Sequence, residues 1–134
     1  MANYTHLNLK EVEDEAPKFG MTEMEFRSAR VPLELENSGI SYLRVAPKYR
    51  IPFGHHHNLQ EEVYVLINGS ARLKLDDDVI EMKPFDAVRI HKDVMRNFEG
   101  GPEGAEVIAI GAPNTGPRRR ADDAELVDGL AAVH

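Results

Sequence analysis

Three histidines stand together at His55, His56 and His57, and Glu62 follows five residues after the last of them. In an extended strand alternate residues share a face, so His55 and His57 present their rings to one side and His56 to the other. If Glu62 arrives on a neighbouring strand facing the same way, two imidazoles and a carboxylate converge. That nitrogen and oxygen set suits Mn²⁺, Fe²⁺, Ni²⁺ or Zn²⁺, with coordination positions left open for water or a substrate. The chain has no Cys, which removes thiolate ligands, a Cys nucleophile and any disulfide framework. It also lacks a Gly-x-Ser-x-Gly elbow, and the glycines at 100–104 are not followed by the Lys-Ser/Thr of a phosphate loop. If His55, His57 and Glu62 do converge, the chemistry the sequence offers is that of a divalent metal; otherwise they form a solvated polar turn.

Holding such residues in register is the work of short strands. Met24–Leu33 reads as a strand that Pro32 confines to an edge. Ile40–Val45, Ile51–His57, Glu62–Ile67, Ala71–Leu75, Val79–Met82, Ala87–His91, Val94–Phe98 and Ala105–Ile110 follow, each bounded by turn residues. Asn68-Gly69, between two β-branched runs, predicts a tight hairpin. No helical segment intervenes, so the pattern excludes a parallel βαβ fold and predicts an all-β sandwich or barrel. Three parts are expected: an acidic arm over residues 1–23 with an edge strand at His6–Leu9, a barrel over 24–112, and a tail over 113–134 with a helical turn or two within 121–130. The run Arg118–Arg120 reads as a solvated surface.

The 134 residues carry 16 Lys and Arg against 23 Asp and Glu, a formal charge of −7. This excludes sequence-independent nucleic-acid binding and attraction to an anionic membrane. No apolar run approaches the roughly 20 residues of a membrane span. Met1 to Lys10 has no basic n-region and no apolar h-region, so a cytoplasmic location without a signal peptide is expected. Parity within Glu62–Ile67 sends Glu62, Tyr64 and Leu66 one way and Val63, Val65 and Ile67 the other. Both faces are apolar apart from Glu62, and one barrel has one interior, so a homodimer is expected to cover the outer face.

The stretch Gly54–Gly69, GHHHNLQEEVYVLING, resembles the first motif of the cupin superfamily, with His55, His57, Glu62 and Gly69 at the motif positions. Tyr49 stands where that motif has its leading Gly. The second motif is degenerate over residues 84–101, PFDAVRIHKDVMRNFEGG: His91 replaces its Pro, Asp93 its Gly, Gly100 its Asn, and Arg96 its His. The resemblance spans about residues 40 to 111. It implies a double-stranded β-helix, a small jelly-roll barrel, with a small-molecule site inside and His55, His57 and Glu62 as metal ligands. Arg96 takes the place of the fourth ligand, but a guanidinium has no lone pair to give a metal. Two outcomes follow. Either the three remaining donors hold the metal and Arg96 orients an anionic or polar substrate for oxygenase or isomerase chemistry, or Arg96 neutralises Glu62 in a metal-free, non-catalytic binding protein. Gln60 from the loop and Tyr64 on Glu62's face are further candidates to touch the ligand, although Tyr64 also fits a core role. Phe53, Leu66, Met82, Ile90 and Phe98 are expected to line the interior. His91 has the opposite parity to Arg96 and is not expected to replace it.

Overall fold

The computed structural model describes residues 3–57, 60–113 and 124–128, apart from the side chains of Phe53, His55–His57 and Ala124–Asp128. Its strands are β1 (Met24–Ser28), β2 (Gly39–Val45), β3 (Phe53–His57), β4 (Glu61–Leu75), β5 (Asp78–Met82), β6 (Ala87–Ile90), β7 (Arg96–Ala112) and β8 (Ala124–Asp128). Every ladder is antiparallel. Among the described residues, regular helix is confined to 3-10 turns at Leu9–Glu11 and Ala16–Phe19, and no helix is long and apolar enough to cross a membrane.

Two long strands organise the molecule. β4 and β7 pair along nearly their whole length. At one end β2 and then β1 extend the sheet beyond β7, while β6 extends it beyond β4. At the other end β3 and β8 lie beyond β7, and β5 beyond β4. Two leaves thus share the same pair of strands, and the shared ribbon turns the corner between them.

The corner is where the sequence suggested turns. Glu62–Ile67 and Ala71–Leu75 belong to one strand, β4, in which Asn68 and Gly69 stay paired to β7 between register shifts at Ile67 and Ser70. A type I′ hairpin needs positive φ at both central residues. Gly69 has φ 82°, whereas Asn68 is absent from the positive-φ residues. One left-handed residue produces a bend that keeps the strand going. Opposite it, Gly69 pairs with Ala105 and Ala71 with Gly100, so residues 101–104 of β7 bow out against Ser70. The expected break at Gly100-Gly101-Pro102 is thus part of a continuous β7. A Cβ on Gly69 would lie 2.0 Å from the Gly104 carbonyl oxygen, so only glycine fits there.

Two further expectations change. His6–Leu9 forms no strand; the arm coils into the 3-10 turns instead. Residues 124–128, expected within a helical turn, are strand β8, hydrogen-bonded to β3 from Phe53↔Asp128 to His57↔Ala124. Pairing with an open strand edge overrides the weak local helical pattern there. β1 is an edge strand but ends at Ser28, so Pro32 lies beyond it in the turn that follows. The charge run Arg118–Arg120 lies outside the described residues.

Between the leaves Val45, Tyr64, Leu66, Leu73, Met82, Ile90, Phe98 and Val107 are buried as one cluster. They are the residues of inward parity on β2, β4, β5, β6 and β7, so alternation decides the core.

Candidate functional site

Two cross-strand rows of inward-facing residues end in small side chains. Gly39 pairs with Gly111, and Gly111 with Glu62. In the next row Ser28 pairs with Ser41, Ser41 with Ala109, and Ala109 with Tyr64. With glycine, serine and alanine where the neighbouring rows carry Leu, Val and Phe, the leaves do not meet. They leave a pocket in which a water's centre has about 10 Å³ to move, room for about one water. Ser28, Arg30, Ser41, Gln60 and Glu62 line it. Gln60 enters over Gly111, where an added Cβ would fall 2.6 Å from the amide carbon. The Gln60 Nε2 donates to the Pro113 carbonyl at 3.2 Å.

Glu62 at this cavity is bound to Arg96. The Arg96 Nη1 donates to the Glu62 Oε1 at 2.7 Å, and the two side chains are 1% and 2% exposed. Arg96 also donates from Nη2 to the carbonyls of Val94 at 2.9 Å and His91 at 3.1 Å, and from Nε to Val94 at 3.2 Å. A buried ion pair is tolerated when its remaining donors are satisfied in this way. The pair also reports the shape of the fold. Arg96 sits opposite Leu75, thirteen residues along β4 from Glu62. On a flat ribbon these positions would be about 40 Å apart. Their side chains touch because the ribbon doubles over at Gly69.

β3 and β4 are not paired, so His55 and Glu62 do not come from neighbouring strands as expected. β7 lies between, and His55 is the backbone partner of Arg96. The alternation of β3 keeps residues 55 and 57 on one face. The side chains of His55 and His57 lie outside the described residues. Among the described residues, the Glu62 Oε1 accepts from the buried Arg96 guanidinium, whose positive charge would oppose a dication at the same carboxylate. The His91 ring is exposed and its Nδ1 accepts from the Asp93 amide at 3.3 Å; the contact of His91 to the site is its carbonyl.

Gln60 lines the cavity with Glu62. Tyr64 is buried in the core, its ring meeting Phe98 edge-on with centroids 6.3 Å apart. Leu66, Met82, Ile90 and Phe98 are core residues as expected, while the Phe53 side chain lies outside the described residues. The sequence reading missed Arg30, Ser28 and Ser41. Arg30 continues the inward parity of Met24, Phe26 and Ser28 into the turn after β1, and that parity was the available signal.

No family model matches the chain, and comparison with curated proteins finds no match. Solved structures do match. A cupin protein from Bacteroides fragilis is similar with a TM-score of 0.70 and 20% identity, over 86% of this chain and 88% of that one. The polyketide cyclase RemF from Streptomyces resistomycificus gives 0.70 and 20% over 96% and 87%. Oxalate decarboxylase from Bacillus subtilis gives 0.71 and 16% over 95% of this chain but 33% of its own. At such identities the likeness is one of architecture: this chain has the cupin fold.

Proposed function

We propose that this cupin-fold chain binds a small molecule inside its barrel, at the cavity beside Glu62, and that Arg96 holds that carboxylate in place of a metal. The observation that supports the reading is the buried Glu62–Arg96 pair at 2.7 Å. In this reading the pair sets a neutral, rigid wall, Gln60 presents its amide, and Ser28 and Ser41 offer hydroxyls that both donate and accept. Such a set orients a polar ligand by hydrogen bonds while the apolar core excludes water behind it. No group here is assigned a role in bond breaking.

One observation favours a second reading, a metal-dependent enzyme using His55, His57 and Glu62. The His55↔Arg96 ladder places β3 beside the pair, with residues 55 and 57 on one face. Bound there, Mn²⁺, Fe²⁺, Ni²⁺ or Zn²⁺ would supply the Lewis-acid or redox chemistry of an isomerase or oxygenase.

Metal analysis of protein purified without a nickel column decides between them. The pair reading expects less than about 0.1 metal per chain, unchanged after incubation with each of the four ions. Stoichiometric metal overturns it. Arg96→His removes the guanidinium and adds a nitrogen donor, and should raise metal uptake if residue 96 is what keeps the metal out.

A further inference from the structure

The cavity wall carries a charge that the Glu62–Arg96 pair does not use. Arg30 is 5% exposed and lines the cavity, and both its terminal nitrogens, Nη1 and Nη2, are buried without a hydrogen-bond partner. A guanidinium is always protonated, and burying it unpaired is strongly unfavourable. Its backbone does not explain its place by itself: the Arg30 carbonyl accepts from the Leu35 amide at 3.0 Å, closing the turn after β1, which any residue could do. The turn after β1 thus leaves a planar fork of buried donors beside the pocket without a hydrogen-bond partner.

We propose that Arg30 is the anchor for the carboxylate of a small monocarboxylic acid bearing a hydroxyl or oxo group. This rests on the barrel-interior reading above and names the ligand class for it. Two parallel N–H donors match the two oxygens of a carboxylate. The charge count selects a monoanion: among the described residues Glu62 is neutralised by Arg96, and Arg30 is left as one positive charge. The remaining lining is polar but neutral, Ser28, Ser41 and Gln60, and fits a hydroxyl or carbonyl beside the carboxylate. The pocket as it stands has room for about one water, so the ligand is held to a few heavy atoms and the lining side chains must shift to admit it.

Glycolate, the smallest hydroxy acid of this class, is the probe, and glycolamide, its neutral isostere, the control. The full chain is titrated at fixed ionic strength and followed by its backbone amide NMR signals. Saturable shifts at Ser41, Ala109 and Gly111 are expected with glycolate and none with glycolamide. Arg30→Lys, which keeps charge but loses the fork, should weaken binding at least about tenfold. Arg30→Met should abolish it and, by removing an unpaired buried charge, raise the melting temperature of the ligand-free protein. Ser41→Val, which fills the cavity and keeps Arg30, should abolish binding as well. Non-saturating shifts, equal binding of glycolamide, unchanged affinity in Arg30→Met, or a lowered melting temperature for that variant would each overturn the proposal. The two readings fail separately. A metal-loaded protein that still needs Arg30 for glycolate removes the metal-free reading alone, and a metal-free protein that ignores glycolate removes this inference alone.

Discussion

Glu62 and Arg96 leave water together and are stable there only as a pair. Removing one partner, by Glu62→Gln or Arg96→Met, is expected to cost about 3–5 kcal/mol, because the other is left buried and unmatched. The double variant Glu62→Met/Arg96→Met should recover most of that loss, and urea unfolding of the three proteins measures it. Partly buried carboxyls and a buried tyrosine set the pH dependence. Glu106 is held below the ordinary carboxylate range by the Tyr42 hydroxyl, which donates at 2.5 Å, and then by the Asn68 amide at 2.8 Å. Arg44, then Arg27, does the same for Glu25 against an opposing effect of burial. A carboxyl lowered in the folded state stabilises above its unfolded pKa, about 4.3, and that contribution is lost as pH falls through the folded value. The Tyr42 phenol is raised, by burial first and then by Glu106, so it keeps its proton where the unfolded chain ionises. Stability should therefore also fall above about pH 10. Urea midpoints across pH should show both limbs, with the acid limb shallower in Glu106→Gln. At this scale the spacing of His55, His57 and Glu62 was readable, and Arg96 was found by its place in a motif. Arg30 was not, since a single arginine near a proline carries no pattern until the strand before it is known to end two residues earlier and to face inward.

The elements were legible wherever alternation governs, as in β2, β5 and β6, and misread where a glycine bends a strand without ending it. Gly69 satisfies the same local requirement, a positive φ, in a hairpin and in a bulge. What separates them is the neighbour on β7, which is distant in sequence. Gly69→Ala should accordingly be severe: a Cβ there meets the Gly104 carbonyl oxygen at 2.0 Å on top of its φ of 82°. A loss above about 3 kcal/mol is expected. Gly20→Ala is the matched control, with φ 73° and nothing within 4 Å, and should cost about 1–2 kcal/mol. Comparable losses in the two would mean that the corner does not depend on close approach of β4 and β7. β8 was invisible for a related reason, since its partner β3 lies about seventy residues earlier.

Across the whole molecule, the same alternation that buries Tyr64 and Leu66 leaves an apolar outer face. Ile67 is 37% and Ile110 40% exposed, beside half-buried Val63, Val65 and Ile108. The parity of the sequence foresaw this face, and we propose that a second copy of the chain covers it. Val65→Lys/Ile108→Lys should then convert a dimer to a monomer in light scattering after gel filtration, and a wild-type monomer would dispose of the idea. The doubled ribbon also dictates an order of events in time. A chain dominated by pairings between distant segments refolds over roughly milliseconds to seconds. Glu62 and Arg96, at opposite ends of that ribbon, can meet only once it has closed, so theirs is a late contact. Arg96→Met should speed unfolding while barely slowing refolding, the kinetic signature of an interaction absent from the transition state. The pair would then act as a latch on the finished barrel, lengthening the life of the native state rather than hastening its arrival.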